Sequence, residues 1–257
     1  MDLGIRGKTA IVCASSRGLG RGCALALAEA GCNLVVNGRD AAVLARTAAE
    51  LRDRFGVTVT EVVGDVSDPA IQKQLLAAAP AVDILVNNNG GPPYRPFTDL
   101  DREKILEGVT QNMITPIELI QAVLPGMAER HFGRIVNITS LSVYVPIPGL
   151  DLSSGARAGL TSFLAGVART VVDKNVTINN LLPGNLDTDR MRPQGVTHET
   201  PEEAAERRRR QSEKIPAKRL GTPEEFGQIC AFLSSVHAGY LTGQNIPVDG
   251  GLYVSAF

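Results

Sequence analysis

The chain has 257 residues, enough for one large α/β domain with a sizeable core. Its formal net charge of -1 sets up no global field toward nucleic acid or an anionic membrane. With 4% aromatic residues and no tryptophan, stacking on single-stranded nucleic acid is disfavoured, and the longest apolar runs are strand-length, far short of a membrane span.

In chain order, strand-like runs alternate with helical ones. Met1-Asp2-Leu3-Gly4-Ile5-Arg6 leads directly into a strand without an apolar signal-peptide core, so a cytoplasmic location is the expectation. Thr9 to Cys13 is a continuous apolar run, as a parallel strand buried on both faces requires. Arg17 to Ala30 follows as a helix, with Leu19, Cys23, Leu27 and Ala30 on one stripe. Asn33 to Asn37 is the next strand, Ala41 to Phe55 a helix, and Val57 to Val63 a third strand. Ser67 to Ala79 reads as a helix opened by a capping serine, and Val82 to Val86 returns to the sheet. A long helical stretch from Asp101 to Arg130 precedes the strand Arg134 to Thr139. Leu152 to Val172 is helical, Thr177 to Leu182 a strand, Pro223 to Ser234 a helix, and Gln244 to Val248 a short final strand.

This alternation predicts a single Rossmann-like, doubly wound parallel sheet with helices on both faces, spanning residues 1–257. The segment from Asp187 to Pro216 breaks the rhythm, being polar and carrying four consecutive arginines, Arg207 to Arg210. It reads as a solvated surface helix, as a mobile substrate lid at a strand's C-terminal end, or as both. Cys13, Cys23, Cys32 and Cys230 lie inside apolar segments without metal spacing and read as buried thiols. His131, His198 and His237 are scattered, so no metal site is expected.

The first strand feeds Cys13-Ala14-Ser15-Ser16-Arg17-Gly18-Leu19-Gly20 and then a helix. Glycines at such a turn let the backbone approach a pyrophosphate held at the helix N-terminus. At the end of the second strand stands Asn37-Gly38-Arg39 in place of an acidic residue. An acid there would bind both ribose hydroxyls of NAD, whereas Arg39 and Arg17 suit the 2′-phosphate of NADP. NADP(H) is therefore the expected cofactor, with Asp40 reading as the cap of the next helix.

Nearly the whole chain resembles the short-chain dehydrogenase/reductase family. The family's Thr-Gly-x-x-x-Gly-x-Gly turn corresponds to Cys13 through Gly20, with Ala14 replacing the first glycine. Asp65-Val66 matches its adenine-contacting pair, and Asn87-Asn88-Asn89-Gly90 its Asn-Asn-Ala-Gly stretch. Pro183-Gly184-Asn185-Leu186-Asp187-Thr188 matches the Pro-Gly turn and the threonine that meets the nicotinamide amide. Gly221 to Glu225 and Gly243 to Gly251 also look like the family. The resemblance implies cofactor contacts from Ala14, Ser15, Ser16, Arg17, Gly18, Leu19, Gly20, Arg39, Asp65, Val66, Asn88, Asn89, Gly90, Arg157, Pro183, Gly184, Leu186 and Thr188.

In that family a tyrosine protonates the carbonyl, and a lysine one turn later lowers its pKa and holds the nicotinamide ribose. A serine orients the carbonyl and an asparagine supports a water relay. Asn112 matches the asparagine and Ser140 the serine, but Ser153 stands at the tyrosine and Arg157 at the lysine position. Ala158-Gly159-Leu160 keeps the register. Ser-x-x-x-Arg resembles a divergent, 3-oxoacyl-carrier-protein-reductase-like group. Serine is a far weaker acid than tyrosine and shorter by a ring, and arginine does not relay protons. Losing a general acid costs about 10²–10⁴ in rate. Tyr144, four residues after Ser140, is the tyrosine nearest the chemistry by sequence, and Tyr94 is the more distant second.

Two functions follow. One is an NADP(H)-dependent oxidoreductase interconverting a small-molecule carbonyl and alcohol with a non-standard proton donor. The other is an inactive relative kept as a nucleotide-binding regulatory or structural module. The resemblance further implies a homodimer or homotetramer built on Asp101 to Arg130, Leu152 to Val172 and the Asp249-Gly250-Gly251 region. No nucleic acid or membrane partner is expected.

Overall fold

Seven short apolar runs pair into one sheet in the computed structural model, which describes residues 1–191 and 198–255. The strands are β1 (Thr9–Val12), β2 (Asn33–Gly38), β3 (Val59–Val63), β4 (Ile84–Asn87), β5 (Gly133–Ile138), β6 (Val176–Pro183) and β7 (Asn245–Val248). Their order is β3-β2-β1-β4-β5-β6-β7, and every pairing is parallel. Parallel neighbours need crossover connections, which the helices supply. They are α1 (Gly18–Glu29), α2 (Ala41–Phe55), α3 (Pro69–Ala78), α4 (Arg102–Val109), α5 (Thr115–Glu129), α6 (Asp151–Val171), α7 (Pro201–Glu213) and α8 (Pro223–Leu233). One core joins the sheet to α1, α2 and α8, and the other joins it to α3, α5 and α6. Alternate strand residues serve the two cores: Ala10 and Val12 face one, Ile11 and Cys13 the other. The doubly wound architecture expected from the alternation is the one found.

Three local expectations change. Ser67 does not cap α3: Asp68 does, accepting from the Ala70 amide at 2.8 Å, while the Ser67 hydroxyl donates to Asp65 at 2.6 Å. Pro69 fixes the first helical position, which makes its predecessor the cap. The third strand begins at Val59 rather than Val57, because the Thr58 amide turns to the Asn33 side chain. The stretch from Asp101 to Arg130 is one helical path interrupted by a π-turn, Thr110–Ile114. Pro116 has no N–H to offer the carbonyl four residues back, so the ladder widens and the Thr115 amide reaches the Thr110 carbonyl.

Asp40 caps α2, as the sequence predicts, through a 3.1 Å bond from the Val43 amide. All four cysteines are free and buried. Helix α7 has no buried residue, and Arg207 to Arg210 pair with Glu199, Asp187 and Glu206, as a solvated helix should. Residues 192–197 of the expected lid lie outside the described residues. Among the described residues no helix is long and apolar enough to cross a membrane.

A row of amides crosses the sheet near its C-terminal edge. Asn87, Asn137, Asn180 and Asn245 are register partners on β4, β5, β6 and β7. Each Nδ2 donates to the next Oδ1, at 2.9, 3.0 and 2.7 Å. The Asn87 Oδ1 at the end of the row is buried without a partner.

Candidate active site

The strand order reverses between β1 and β4, which opens a crevice outside their C-terminal ends. The loops predicted to carry the site converge there. The Asn88 side chain donates to the Ala14 carbonyl at 3.2 Å, joining the loop after β4 to the glycine turn after β1. Asn37 at the end of β2 completes the knot: its Oδ1 accepts from the Ala14 amide at 3.1 Å, and its Nδ2 donates to the Val62 and Gly64 carbonyls. Sequence reading placed Asn37 beside the ribose site but missed this organising role. A buried amide at a strand end is the signal that could have found it.

The glycine turn is shaped by close approach. A Cβ on Gly20 would strike the Ala14 carbonyl and lie 2.8 Å from the Asn88 amide nitrogen, so only glycine fits. Ala14 takes φ 44°, a left-handed conformation that glycine adopts freely and alanine does not. Ser15 is buried and spent on structure, donating to the Val12 carbonyl at 2.7 Å and accepting from the Asn37 amide at 3.0 Å. The Ser16 carbonyl accepts from Thr47. Leu19 is half-buried against the core. Helix α1 has no acidic residue in its first turn and no side-chain cap, which leaves its N-terminal amides for an anion. Gly18, at φ 58°, faces the Thr188 methyl, so the turn after β6 closes over the same opening.

Around the end of β2, Arg17 is loosely paired with Asp40 at 3.5 Å and Arg39 with Asp65 at 3.9 Å, with both arginines exposed. Burial opposes ionisation of Asp65, but hydrogen bonds from Ser67 and the Arg39 cation outweigh it and hold the carboxyl below its ordinary value. Val66 is buried beside Asn88 and Asn89, while Gly90 is exposed. The Gly184 amide donates to the Val248 carbonyl at 3.0 Å, where Pro183 pairs with β7. Leu186 is buried and bridges to Gly221.

The departures from the family's pattern, Ser153 and Arg157, face inward from α6 and touch. Arg157 Nε donates to Ser153 Oγ at 3.1 Å, Nη1 to the Ile138 carbonyl at 2.5 Å, and Nη2 to the Asn89 carbonyl at 3.4 Å. Its side chain therefore ties α6 to the ends of β5 and β4. Burial, and after it the neighbouring Arg190 cation, draw Arg157 down to about 10, so it stays a full cation at neutral pH. Ser140, at the end of β5, accepts from the Ser142 amide at 3.1 Å, and Ser153 accepts from the guanidinium. Both hydroxyls thus keep their protons for an outside acceptor.

Asn112 sits buried in the π-turn, its Nδ2 bonded to the Gly108 carbonyl and its Oδ1 without a partner. Asn89 Nδ2 donates to the Gln111 carbonyl at 2.6 Å, which joins the cofactor loop to that same turn. Tyr144 is 39% exposed and stacks on Tyr253, with ring centroids 4.9 Å apart. Sequence reading missed Tyr253, and it missed Arg190, which holds the Gly91 and Pro92 carbonyls at 2.9 and 2.6 Å. Tyr94, the more distant tyrosine, lies beneath Arg190, 5.9 Å from its guanidinium. No group of three or more metal-ligating side chains gathers among the described residues.

Known proteins of this build share the whole chain. A family model described as enoyl-(acyl carrier protein) reductase matches residues 13–253. The 3-oxoacyl-[acyl-carrier-protein] reductase of Aquifex aeolicus is 32% identical, over 98% of this chain and 100% of its own. L-sorbose reductase from Gluconobacter frateurii, solved with NADPH and L-sorbose, superposes with a TM-score of 0.92 at 28% identity, covering 99% of this chain and 100% of its own. A 3-oxoacyl (acyl-carrier-protein) reductase from Agrobacterium tumefaciens with NADP bound gives 0.87 at 28% identity, covering 97% and 95%. Matched in sequence and fold over nearly its whole length, the chain belongs to the short-chain dehydrogenase/reductase family.

Proposed function

We propose that the protein is an NADP(H)-dependent oxidoreductase that interconverts a small-molecule carbonyl and an alcohol, with a proton donor other than a tyrosine on α6. The observation that carries this reading is the pair of hydroxyls, Ser140 and Ser153, each accepting from a protein donor and each left with a proton to give. A pocket that only bound adenine would need neither.

The residues present fit the cofactor. The uncapped N-terminus of α1 and the close-approach Gly20 suit a pyrophosphate, and the exposed Arg17 and Arg39 suit a 2′-phosphate. Asp65, Val66, Asn88 and Asn89 line the adenine and ribose side, while Pro183, Gly184, Leu186 and Thr188 close over the nicotinamide side. When bound, the cofactor supplies or takes the hydride. Ser140 orients the carbonyl and donates a hydrogen bond to its oxygen as negative charge grows there. Arg157 holds positive charge behind that oxygen, and the Ser153 hydroxyl, polarised by the guanidinium, passes its proton through solvent across the ring-length gap and takes one back from bulk water. Tyr144 is the alternative donor, favoured by its place on the turn that Ser140 opens. Asn112 keeps an acceptor free for the solvent path. The described parts of the 187–216 segment, tied to each other by the 2.9 Å Arg208–Asp187 pair, serve as a lid.

A second reading, a nucleotide-binding module without turnover, is favoured by one observation: three of the Arg157 N–H groups are spent on the protein itself. The test is NADPH oxidation against a panel of ketones, aldehydes and 3-oxoacyl thioesters. Turnover is expected, falling by about 10² in Ser140→Ala, the loss typical of one oxyanion donor. NADPH binding without turnover across the panel selects the module. Assembly into a homodimer or homotetramer is part of the proposal, supported by the half-exposed Phe163 on α6 and by Ile105 and Leu106 on α4. Leu119, by contrast, is buried within the monomer.

A further inference from the structure

Two arginines hold one short loop at the mouth of the crevice. Arg157 reaches the Asn89 carbonyl from below, while Arg190, exposed and two residues beyond Thr188, reaches the Gly91 and Pro92 carbonyls. Among the described residues neither guanidinium is in an ion pair. Their partners are backbone carbonyls, the Ser153 hydroxyl and the Tyr94 ring. The first acid after β6, Asp187, pairs with Arg208 at 2.9 Å, and no ion pair joins Arg190 to its neighbour Asp189.

A buried arginine bonded to carbonyls is not in itself a site. Arg134 is also buried and donates to the Ser235, Gly133 and Asn175 carbonyls, but at the far end of β5, away from the crevice. What sets Arg157 apart is its position below the catalytic hydroxyls and the uncompensated partner cation beside it, which depresses its own proton affinity. Arg17 and Arg39, the arginines that suit a 2′-phosphate, follow β1 and β2, whereas Arg190 and residues 89–92 follow β6 and β4. Arg190 has five N–H donors, of which two are engaged among the described residues, and its fork matches a carboxylate.

We infer that the carbonyl substrate carries a carboxylate close to the reacting carbon, as a 2- or 3-oxo acid does, and that Arg190 selects for it. The inference rests on the carbonyl-reducing function proposed above. Arg157 adds a fixed positive charge beneath, and the ring of Tyr94 lies against the guanidinium that receives the acid.

The test compares matched 2- and 3-oxo acids with their methyl esters as substrates for NADPH oxidation. The acids are expected to be preferred by at least about tenfold in kcat/KM, chiefly through KM, as a charge-assisted bidentate contact gives. Arg190→Gln should close most of that gap, and Arg190→Lys, which keeps the charge, should retain part of it. Esters used as well as acids, or a preference untouched in Arg190→Gln, overturn the inference and leave the reductase standing. If nothing turns over, calorimetric titration of the NADP(H)-loaded protein with the same compounds decides. Acids binding at least about tenfold more tightly than esters support the anion site although the reaction is wrong, and equal or absent binding overturns it.

Discussion

Arg134 and Arg157 are the same side chain at opposite ends of β5, and both are drawn down to about 10 by burial. At the N-terminal end Arg134 is packed over Phe132 at 4.5 Å and fastens the Gly133 to Asn175 corner to the Ser235 carbonyl. At the C-terminal end the same chemistry lies against Ser153, and Arg157 there joins α6 to the loop after β4. Ser153 is too weak an acid to replace tyrosine alone, and on the proposed function it is the guanidinium contact that lets it serve. Ala14 is the residue at which the chain bears identifiable strain. A left-handed alanine costs about 1–2 kcal/mol, and glycine returns part of that as extra freedom in the unfolded chain. Ala14→Gly should therefore raise stability by about 0.5–1 kcal/mol, read as a higher denaturant midpoint at unchanged slope. A lower midpoint would show that the turn depends on the alanine methyl.

At the level of elements, the asparagine row explains how four parallel strands hold one register where the site loops begin. A one-residue slip of any strand would turn its amide to the other face and leave its neighbours buried without partners. Asn137 both donates to Asn180 and accepts from Asn87, so Asn137→Ala strands a donor and an acceptor. A loss of about 2–4 kcal/mol is expected in equilibrium unfolding, whereas a loss under about 0.5 kcal/mol would mean that the row is incidental. The π-turn is the second such device. Pro116 widens the helix at Asn112 and places its amide against Gly108, with Gln111 tied to Asn89 in the cofactor loop. The proline was visible in the sequence, but periodicity averaged over Asp101 to Arg130 hid the single wide turn. Ser67 was misread for a related reason, since a short polar side chain signals a cap and the fixed φ of Pro69 decides which residue takes that place.

For the whole molecule, the alternation of buried strands and amphipathic helices was enough to give layers, sheet direction and the crevice. Parallel strands are covered on both faces and so announce themselves as apolar runs. The glycine turn and the Asn88 loop were legible because their residue types follow from backbone approach. Arg190, Tyr253 and the keystone role of Asn37 were not legible, since each depends on which distant loops meet above the sheet. On the proposed function, hydride transfer proceeds in this site with Ser153 and Arg157 in place of a tyrosine and a lysine. Single-turnover oxidation of NADPH by a ketone, an aldehyde or a 3-oxoacyl thioester compares the native chain with Ser153→Ala and with the double variant Ser153→Tyr and Arg157→Lys. A measurable native rate is expected, falling by about 10²–10⁴ in Ser153→Ala. Bound NADPH left unoxidised by the native chain across these acceptors, but oxidised by the double variant, would overturn the proposed function.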